Sequence, residues 1–245
     1  MKGRLEARVA LVTGASQGIG RATAIALAKE GAEVAVTARN AAELGELVQE
    51  IEAAGGYAFS TTGDASLEED VERIRQETLE RFSRVDILVN NVGIARYAPL
   101  ADLSIQDYDW MMNTNMRSTF LFTKAFFPGM IQRRQGWIVF VASVSGLMGL
   151  PNETAYAASK HAQVGFARAL DHEAYKYGVK VSVVAPGSVN TRHAFGTGRT
   201  PGDTRLEGYL SPEEVAEAVV FAVTQPPKSR LFMVGMRPMN ESLFD

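Results

Sequence analysis

The sequence predicts an α/β protein in which helices cover both faces of a parallel sheet. Short, nearly continuous apolar runs rich in β-branched residues recur along the chain, and longer helical patterns separate them. Such apolar strands are typical of a parallel sheet that is buried on both faces. Because crossovers between parallel strands are right-handed, the elements should wind into a doubly wound, Rossmann-type sheet of seven strands.

The predicted strands and helices alternate from the N-terminus. The strands are expected at Val9–Thr13, Glu33–Ala38, Tyr57–Thr62, Val85–Asn90, Trp137–Ala142, Val179–Ala185 and Leu231–Val234. The helices are expected at about 18–30, 42–54, 67–82, 105–132, 155–177 and 212–224. Ser211-Pro212-Glu213-Glu214 offers the last helix an N-cap, a proline in its first turn and a capping-box glutamate. We interpret residues 1–245 as one domain with a substrate loop at about 190–210.

Composition excludes several classes of protein. The 245 residues are 46% hydrophobic and 22% charged, with a net charge of −3, which is typical of a globular domain rather than a disordered chain. A slightly acidic chain is a poor non-specific partner for nucleic acid or anionic lipid. Cysteine is absent, so there is no disulfide and no thiol nucleophile, and we expect no metal site. No apolar run is long enough for a signal peptide or a membrane span, so we expect a cytoplasmic protein.

A glycine-rich turn, Thr13-Gly14-Ala15-Ser16-Gln17-Gly18-Ile19-Gly20, follows the first predicted strand. Gly14 would permit the tight turn, Gly18 a close approach of the backbone to a pyrophosphate, and Gly20 close packing of helix on strand. Free N–H groups and the helix dipole would then face the phosphates. A glycine-rich turn without a ligand is the alternative interpretation.

The ends of the next strands indicate which dinucleotide would bind. Ala38 stands where an NAD site usually has an acidic residue, and Arg39 offers the cation that an NADP site needs for the 2′-phosphate. An exposed surface arginine is the ordinary alternative. Asp64 could cap the following helix, and the asparagines of Asn90-Asn91-Val92-Gly93 could stabilise a turn.

Four polar residues suggest carbonyl chemistry. Tyr156 and Lys160 share one helix face, Ser143 follows the fifth strand, and Asn115 lies in the preceding helix. A lysine ammonium about 4 Å away would stabilise a tyrosinate by ~4 kcal/mol at an effective dielectric of 20. We therefore expect Tyr156 to be an acid/base with a pKa near the operating pH. Ser143 can donate a hydrogen bond to the carbonyl oxygen, and Asn115 could hold a water that links Lys160 to solvent.

Together these residues resemble the short-chain dehydrogenase/reductase family from about Arg8 to Val234. The glycine turn resembles its cofactor motif, and Asn90-Asn91-Val92-Gly93 resembles its Asn-Asn-Ala-Gly motif, from which Val92 departs. The catalytic tetrad of the family is matched by Asn115, Ser143, Tyr156 and Lys160, with a 13-residue step from Ser143 to Tyr156.

The resemblance implies an NADP(H) site of the NADP-preferring subgroup. Asp64 falls where the family contacts adenine, Lys160 would bind the nicotinamide ribose, and Val189 and Thr191 would lie near the nicotinamide carboxamide. The implied cofactor-binding residues are Gly14, Ser16, Gln17, Gly18, Ile19, Gly20, Arg39, Asp64, Asn91, Gly93, Tyr156, Lys160, Pro186, Gly187, Val189 and Thr191.

The resemblance also implies a homotetramer, or a homodimer, paired through the helices near 105–130 and 155–177. Many members end in a strand followed by Asp-Gly-Gly, whereas this chain has Met233-Val234-Gly235-Met236-Arg237-Pro238. That ending looks more like reductases of broad carbonyl or 3-hydroxy-acid specificity than like the fatty-acid-synthesis reductase.

The substrate pocket is expected to be largely apolar, which suits an aliphatic or aromatic carbonyl. Its expected lining is Ser145, Leu147, Met148, Leu150, Arg96, Tyr97 and the segment Asn190–Leu210. Arg192, Arg199, Arg205 and His193 of that segment could attract a carboxylate or a phosphate, and solvated loop charges are the ordinary alternative.

The sequence therefore predicts an oxidoreductase that transfers a hydride between NADPH and a carbonyl or secondary alcohol, such as a ketone or a 3-oxo compound. Two alternatives stay open. One is an NAD-dependent alcohol dehydrogenase of the same family, and the other is a non-catalytic dinucleotide-binding protein.

Overall fold

A computed structural model describes residues 3–195, 197 and 199–241. The sheet has seven parallel strands in the order β3-β2-β1-β4-β5-β6-β7. The strands are β1 Val9–Thr13, β2 Glu33–Ala38, β3 Tyr57–Thr62, β4 Ile87–Asn90, β5 Gly136–Val141, β6 Val179–Pro186 and β7 Met233–Met236. The helices are α1 Gly18–Lys29, α2 Ala41–Ala53, α3 Glu68–Phe82, α4 Ile105–Met111, α5 Ser118–Arg133, α6 Thr154–Ala174, α7 Arg192–Phe195 and α8 Pro212–Val223.

Two apolar cores, one on each face, confirm the doubly wound architecture. On one face α1, α2 and α8 pack against the sheet through side chains such as Leu27, Leu44 and Val219. On the other face α3, α5 and α6 do so through side chains such as Ile74 and Phe122. The central strands β1 and β4 are buried along their whole length, which is why their sequences are continuously apolar. The strand order reverses between β1 and β4, so the ligand crevice is expected at their carboxyl ends.

The predicted elements are confirmed with shifts at their ends. The first three strands have the predicted bounds, and the later ones move by one or two residues. Asn40 caps α2 by accepting from the N–H groups of Ala42 and Glu43, and Ser211 and Glu214 form the capping box of α8. The proposed cap Asp64 was wrong, because α3 begins after Leu67 and the Asp64 carboxylate instead accepts from Ser66.

The single helix expected at 105–132 is interrupted. A π-helical turn, Met112–Arg117, separates α4 from α5. A π-helical turn interrupts the regular hydrogen bonding of an α-helix. Here the Asn115 backbone carbonyl accepts from the side chains of Thr119 (2.7 Å) and Gln163 (3.0 Å). The helix expected at 155–177 likewise ends in a 3₁₀ turn at Tyr175–Tyr177.

The predicted substrate loop contains local structure. It includes α7 and a 3₁₀ turn at Thr204–Gly208, and a parallel bridge joins Val189 to Leu210 at its base. Gly196 and Gly198 of this loop lie outside the described residues. Within the described part of the chain, no helix is long and apolar enough to cross a membrane, and no group of three or more acidic or histidine residues is arranged to hold a metal ion.

Candidate active site

A cleft of about 1130 Å³ opens along the carboxyl ends of the strands. Most of the predicted cofactor and reaction residues line it, although they come from widely separated parts of the chain. These are Gly14, Ser16, Gln17, Gly18, Ile19, Arg39, Asp64, Asn91, Gly93, Ser143, Tyr156, Lys160, Pro186, Gly187, Val189 and Thr191. Two predicted residues, Gly20 and Asn115, are not part of its lining.

The glycine turn is held by side chains that follow β4. Gly14 and Gly18 have φ values of +64° and +55°, which residues with a Cβ rarely adopt. The Asn91 amide donates to the carbonyls of Thr13 (2.9 Å) and Gly14 (3.2 Å), so Asn91 supports the turn as well as lining the cleft. A Cβ on Gly20 would lie 2.4 Å from the Gly14 carbonyl oxygen, so Gly20 acts by close packing rather than by facing a ligand.

Thr13 is a functional residue that the sequence interpretation passed over. Its hydroxyl donates to the Val89 carbonyl (3.2 Å) and accepts from the N–H of Asn91 (3.0 Å), so it joins the two central strands beneath the glycine turn. Thr13 precedes the first glycine of the motif directly, and that position was the available signal.

The far end of the cleft carries Arg39 and Asp64. Arg39 is exposed at the cleft lining, and in the part of the chain that is described it forms no ion pair with a carboxylate. Nearby, Glu43 at the start of α2 is paired with Arg192 of α7, with 2.7 Å between Oε1 and Nη1. This pair spans the cleft from α2 to the substrate loop.

The reacting end brings Ser143, Tyr156 and Lys160 together. All three are buried, with exposed fractions of 7%, 6% and 3%. The Ser143 hydroxyl is hydrogen-bonded to that of Tyr156 and also accepts from the N–H of Ser145 (3.1 Å). The Lys160 ammonium donates to the Val141 carbonyl (3.2 Å) and lies 5.8 Å from the centre of the Tyr156 ring.

The pKa values of this pair differ from the expectation. Burial raises the pKa of Tyr156 to about 12, although its hydrogen bond with Ser143 opposes the rise, and the nearby Glu153 adds to it. Burial also lowers the pKa of Lys160 to about 7. The expected lowering of the pKa of Tyr156 by Lys160 is therefore wrong, because burial disfavours the charged form of each group. At neutral pH the tyrosine carries its proton.

Asn115 lies behind the cleft rather than in it. Its side-chain carbonyl accepts from the N–H of Ile94 (2.8 Å), and its amide donates to the Ile94 carbonyl (2.9 Å) and the Ser159 hydroxyl (2.9 Å). Both ends of its side chain are hydrogen-bonded to protein, and the water expected at Asn115 stays a prediction. Asn115 fixes the segment after Gly93, whose backbone faces the Lys160 ammonium.

The predicted substrate residues divide into two groups. Ser145, Tyr97, His193 and Leu150 line the cleft, and the His193 and Tyr156 rings are 6.1 Å apart between centres. The remaining expectations fail, since Leu147 and Met148 are not in the lining and Arg96 lines a separate, smaller cavity. The Met148 sulfur contacts the guanidinium of Arg237, which does line the cleft, at 2.8 Å.

The loop cations also differ from one another. Arg192 and Arg205 are paired with Glu43 and Asp203, as the solvated-charge interpretation expects. All three arginines line the cleft, but Arg199 donates to the Tyr209 hydroxyl (2.7 Å) and packs over the Tyr209 ring.

Several cleft residues were not anticipated. They include Glu153, Arg237 and Glu241. Glu153 precedes Tyr156 by three residues and so shares its helix face, which is a signal that the sequence did contain. Glu241 accepts from the N–H of Ser188 (2.8 Å) across 53 positions of sequence, which no local pattern reveals.

Comparison with known proteins decides the family. A family model described as short chain dehydrogenase matches residues 8–200. The chain belongs to the short-chain dehydrogenase family. It is 38% identical to a 3-oxoacyl-[acyl-carrier-protein] reductase of Synechocystis over 91% of each chain.

Two solved structures share the whole fold. An alcohol dehydrogenase from the archaeon Thermococcus sibiricus, in complex with 5-hydroxy-NADP, superposes with a TM-score of 0.89 at 31% identity, covering 96% of this chain and 98% of that one. A metagenomic short-chain oxidoreductase in complex with NADP gives a TM-score of 0.85 at 32% identity, covering 98% and 100%. The Rossmann-type fold and the oxidoreductase class predicted from the sequence are thereby confirmed.

Proposed function

We propose that this oxidoreductase reduces a carbonyl compound with NADPH, or oxidises the corresponding alcohol with NADP⁺. The observation that carries the proposal is the convergence of Ser143, Tyr156 and Lys160 in a cleft that also contains the glycine turn. One end of the cleft offers backbone N–H groups at the start of α1, and the other offers a buried phenol. A dinucleotide lying across the strand ends would join the two.

The residues of the cleft fit NADP(H). Gly14 and Gly18 leave room for close approach of a pyrophosphate to the turn, and the N-terminus of α1 favours its negative charge. Arg39, with Ala38 in place of an acidic residue, would take the 2′-phosphate. The solved relatives that hold NADP or its derivative support this choice.

In the mechanism, Tyr156 supplies the proton. NADPH, when bound, supplies the hydride. The raised pKa keeps the Tyr156 hydroxyl protonated, so it can donate to the oxygen of a carbonyl as negative charge develops there. Ser143, hydrogen-bonded to the same hydroxyl, would donate to that oxygen and stabilise its charge. Lys160, whose ammonium lies 5.8 Å from the centre of the Tyr156 ring, would stabilise the tyrosinate left by proton transfer until a proton from solvent restores the hydroxyl, and would bind the nicotinamide ribose.

Replacing Tyr156 by phenylalanine tests this function. With a panel of ketones, we expect NADPH oxidation by the Tyr156→Phe variant to fall by about 10²–10⁴-fold, because the proton donor is removed. NADPH binding, measured by fluorescence titration, should stay within about threefold of wild type, because the phenyl ring keeps the shape of the site. Tyr108→Phe, on exposed α4 outside the cleft, is the matched control.

Unchanged turnover in the Tyr156→Phe variant would contradict the proton-donor role. Wild-type protein that binds NADH as tightly as NADPH would contradict the cofactor assignment. Protein that binds NADPH and reduces no ketone would favour a non-catalytic dinucleotide-binding protein.

We also propose that the chain functions as one domain and assembles as a homotetramer. Support comes from large apolar side chains that are exposed on α4 and α5, including Ile105 at 76% and Phe120 at 44%. Sedimentation equilibrium at micromolar concentration measures the state directly, and a monomer would contradict the proposal.

A further inference from the structure

A buried carboxyl group in the wall of the cleft has no part in the proposed proton transfer. Glu153 is only 9% exposed, yet it lines the cleft. It lies at the N-terminal boundary of α6, three residues before Tyr156, and therefore on the same side of the helix as the proton donor. Glutamate is rarely buried to this extent unless it is paired with a cation.

Two neutral hydroxyl groups hold this carboxyl in place. The Ser145 hydroxyl donates to Glu153 Oε2 at 2.6 Å, and the Tyr97 hydroxyl is also hydrogen-bonded to it. The Tyr97 ring in turn packs edge-to-face against Tyr156, with 5.6 Å between ring centres. The Glu153 carboxyl is thus hydrogen-bonded to two residues, Ser145 and Tyr97, that line the cleft near the Tyr156 hydroxyl.

No cation neutralises Glu153 directly within the described residues. The charge of Arg199 lowers the pKa of Glu153 and that of Glu241 raises it, but Arg199 forms no ion pair with Glu153 and donates instead to the Tyr209 and Thr197 hydroxyls. Burial raises the pKa of Glu153, and the hydrogen bonds from Ser145 and Tyr97 oppose that rise. The four lone pairs of a carboxylate exceed the two donors that contact it, so it can accept further hydrogen bonds from a ligand.

Glu153 and Tyr156 line the same cleft, so a substrate that lies against Glu153 while it reacts at Tyr156 would displace solvent from the carboxyl. A substrate alkyl group at this position would offer no hydrogen bond in place of the displaced water, which costs binding free energy. A hydroxyl or ammonium group would replace the lost water with a hydrogen bond. A site built around such a group discriminates strongly against the analogue that lacks it.

We propose that Glu153 selects carbonyl substrates that carry a hydrogen-bond donor, a hydroxyl or an ammonium group, on the carbon next to the carbonyl. The Ser145–Glu153–Tyr97 wall beside Tyr156 is the observation that carries this assignment, and it rests on the proposed carbonyl reductase function. The inference narrows the expected aliphatic or aromatic carbonyl compounds to those that carry such a donor.

A matched pair of ketones tests the assignment. 1-Hydroxy-2-butanone and 3-pentanone differ only in a hydroxyl in place of a methyl group. We expect wild-type kcat/KM with NADPH to favour the hydroxyketone by about 100-fold or more. In Glu153→Leu this ratio of kcat/KM values should fall by at least about tenfold, because kcat/KM decreases for the hydroxyketone and increases for 3-pentanone. Glu153→Gln should keep most of the preference for the hydroxyl and lose that for 1-amino-2-butanone, because its amide still accepts a hydrogen bond but carries no charge.

The controls separate this inference from the proposed function. Glu207→Leu removes an exposed carboxylate outside the cleft and should leave the ratio unchanged. NADPH affinity should be the same in wild type and all Glu153 variants, since Glu153 belongs to the substrate wall. A wild type that treats the two ketones alike, or a Glu153→Leu variant that keeps the preference, overturns the inference.

If neither ketone is turned over, quenching of NADPH fluorescence reports their binding to the NADPH complex. Equal binding, or no binding of either, overturns the inference. If wild-type protein does not bind NADPH, the proposed function is overturned instead, so the two failures are distinguishable.

Discussion

The cofactor half and the substrate half of the cleft are built in different ways. The cofactor half consists mainly of backbone: strand ends, a turn with positive φ at Gly14 and Gly18, and the first turn of α1. The substrate half consists of side chains, among which Tyr97, Glu153 and Arg199 come from three separate segments. A site built from backbone can be recognised by a fixed spacing of residues, such as the glycines of the turn. Side chains that converge from distant segments have no such spacing in the sequence. The comparison explains why the cofactor could be assigned more closely than the substrate.

Adding one methyl group to the glycine turn should break the cofactor half most severely. In Gly20→Ala the new Cβ would lie 2.4 Å from backbone of Gly14, which cannot move aside as a side chain can. Overpacking of this kind costs about 1–3 kcal/mol, so we expect Tm to fall by about 3–10 °C and the Kd for NADPH to rise at least about tenfold. Thermal unfolding and fluorescence titration measure the two effects.

Gly45→Ala is the matched control. Gly45 lies inside α2, and a Cβ there would meet nothing within 4 Å. Alanine is the better helix former by about 0.8–1 kcal/mol, so Tm should rise by about 2–4 °C with unchanged NADPH affinity. Equal behaviour of the two variants would show that the turn does not depend on close packing at Gly20.

Reversing the charge at the 2′-phosphate end should have the next largest effect. In Arg39→Asp we expect the Kd for NADPH to rise by about 10–100-fold, because a charge-assisted contact is replaced by repulsion. NADH affinity should change by less than about threefold or improve, since NADH lacks that phosphate. Parallel titrations with both cofactors measure this, and an equal loss for both would remove Arg39 from phosphate recognition.

The smallest of the expected effects is the one that Lys160→Met has on stability, which is measured apart from its effect on activity. Burial lowers the pKa of Lys160 to about 7, against 10.5 in an unfolded chain. Between these values the unfolded state binds a proton that the folded state does not, so wild-type stability should rise as pH increases from about 7 to 10. Below pH 7 both states are protonated and the penalty for burial stays constant.

The methionine carries no charge, so Lys160→Met should unfold at a Tm higher by about 3–5 °C at pH 7 and should lack this rise with pH. Differential scanning calorimetry at pH 7, 8.5 and 10 measures both. A variant that is less stable than wild type at pH 7 would show that the hydrogen bond to Val141 outweighs the cost of burial.

The sequence predicted the fold, the glycine turn and the positions of Ser143, Tyr156 and Lys160, because each is encoded by local periodicity or by the end of a strand. It did not predict the π turn around Asn115, which depends on hydrogen bonds from Thr119 and from α6. The contact of Met148 with Arg237 was likewise not predicted, since the two are 89 positions apart in sequence. Such long-range contacts are fixed only when the chain has folded.

The two ends of the cleft are joined by hydrogen bonds and by the short stretch of backbone from Asn91 to Ile94. Asn91 holds the glycine turn, Ile94 a few residues on is held by Asn115, and Asn115 donates to Ser159, whose hydroxyl donates to the Tyr156 carbonyl at 2.7 Å. These contacts position both the glycine turn and Tyr156. None of them involves Ser145, Glu153 or Tyr97 of the substrate wall. The wall can therefore be exchanged to accept another substrate while the spacing on which the reaction depends is preserved.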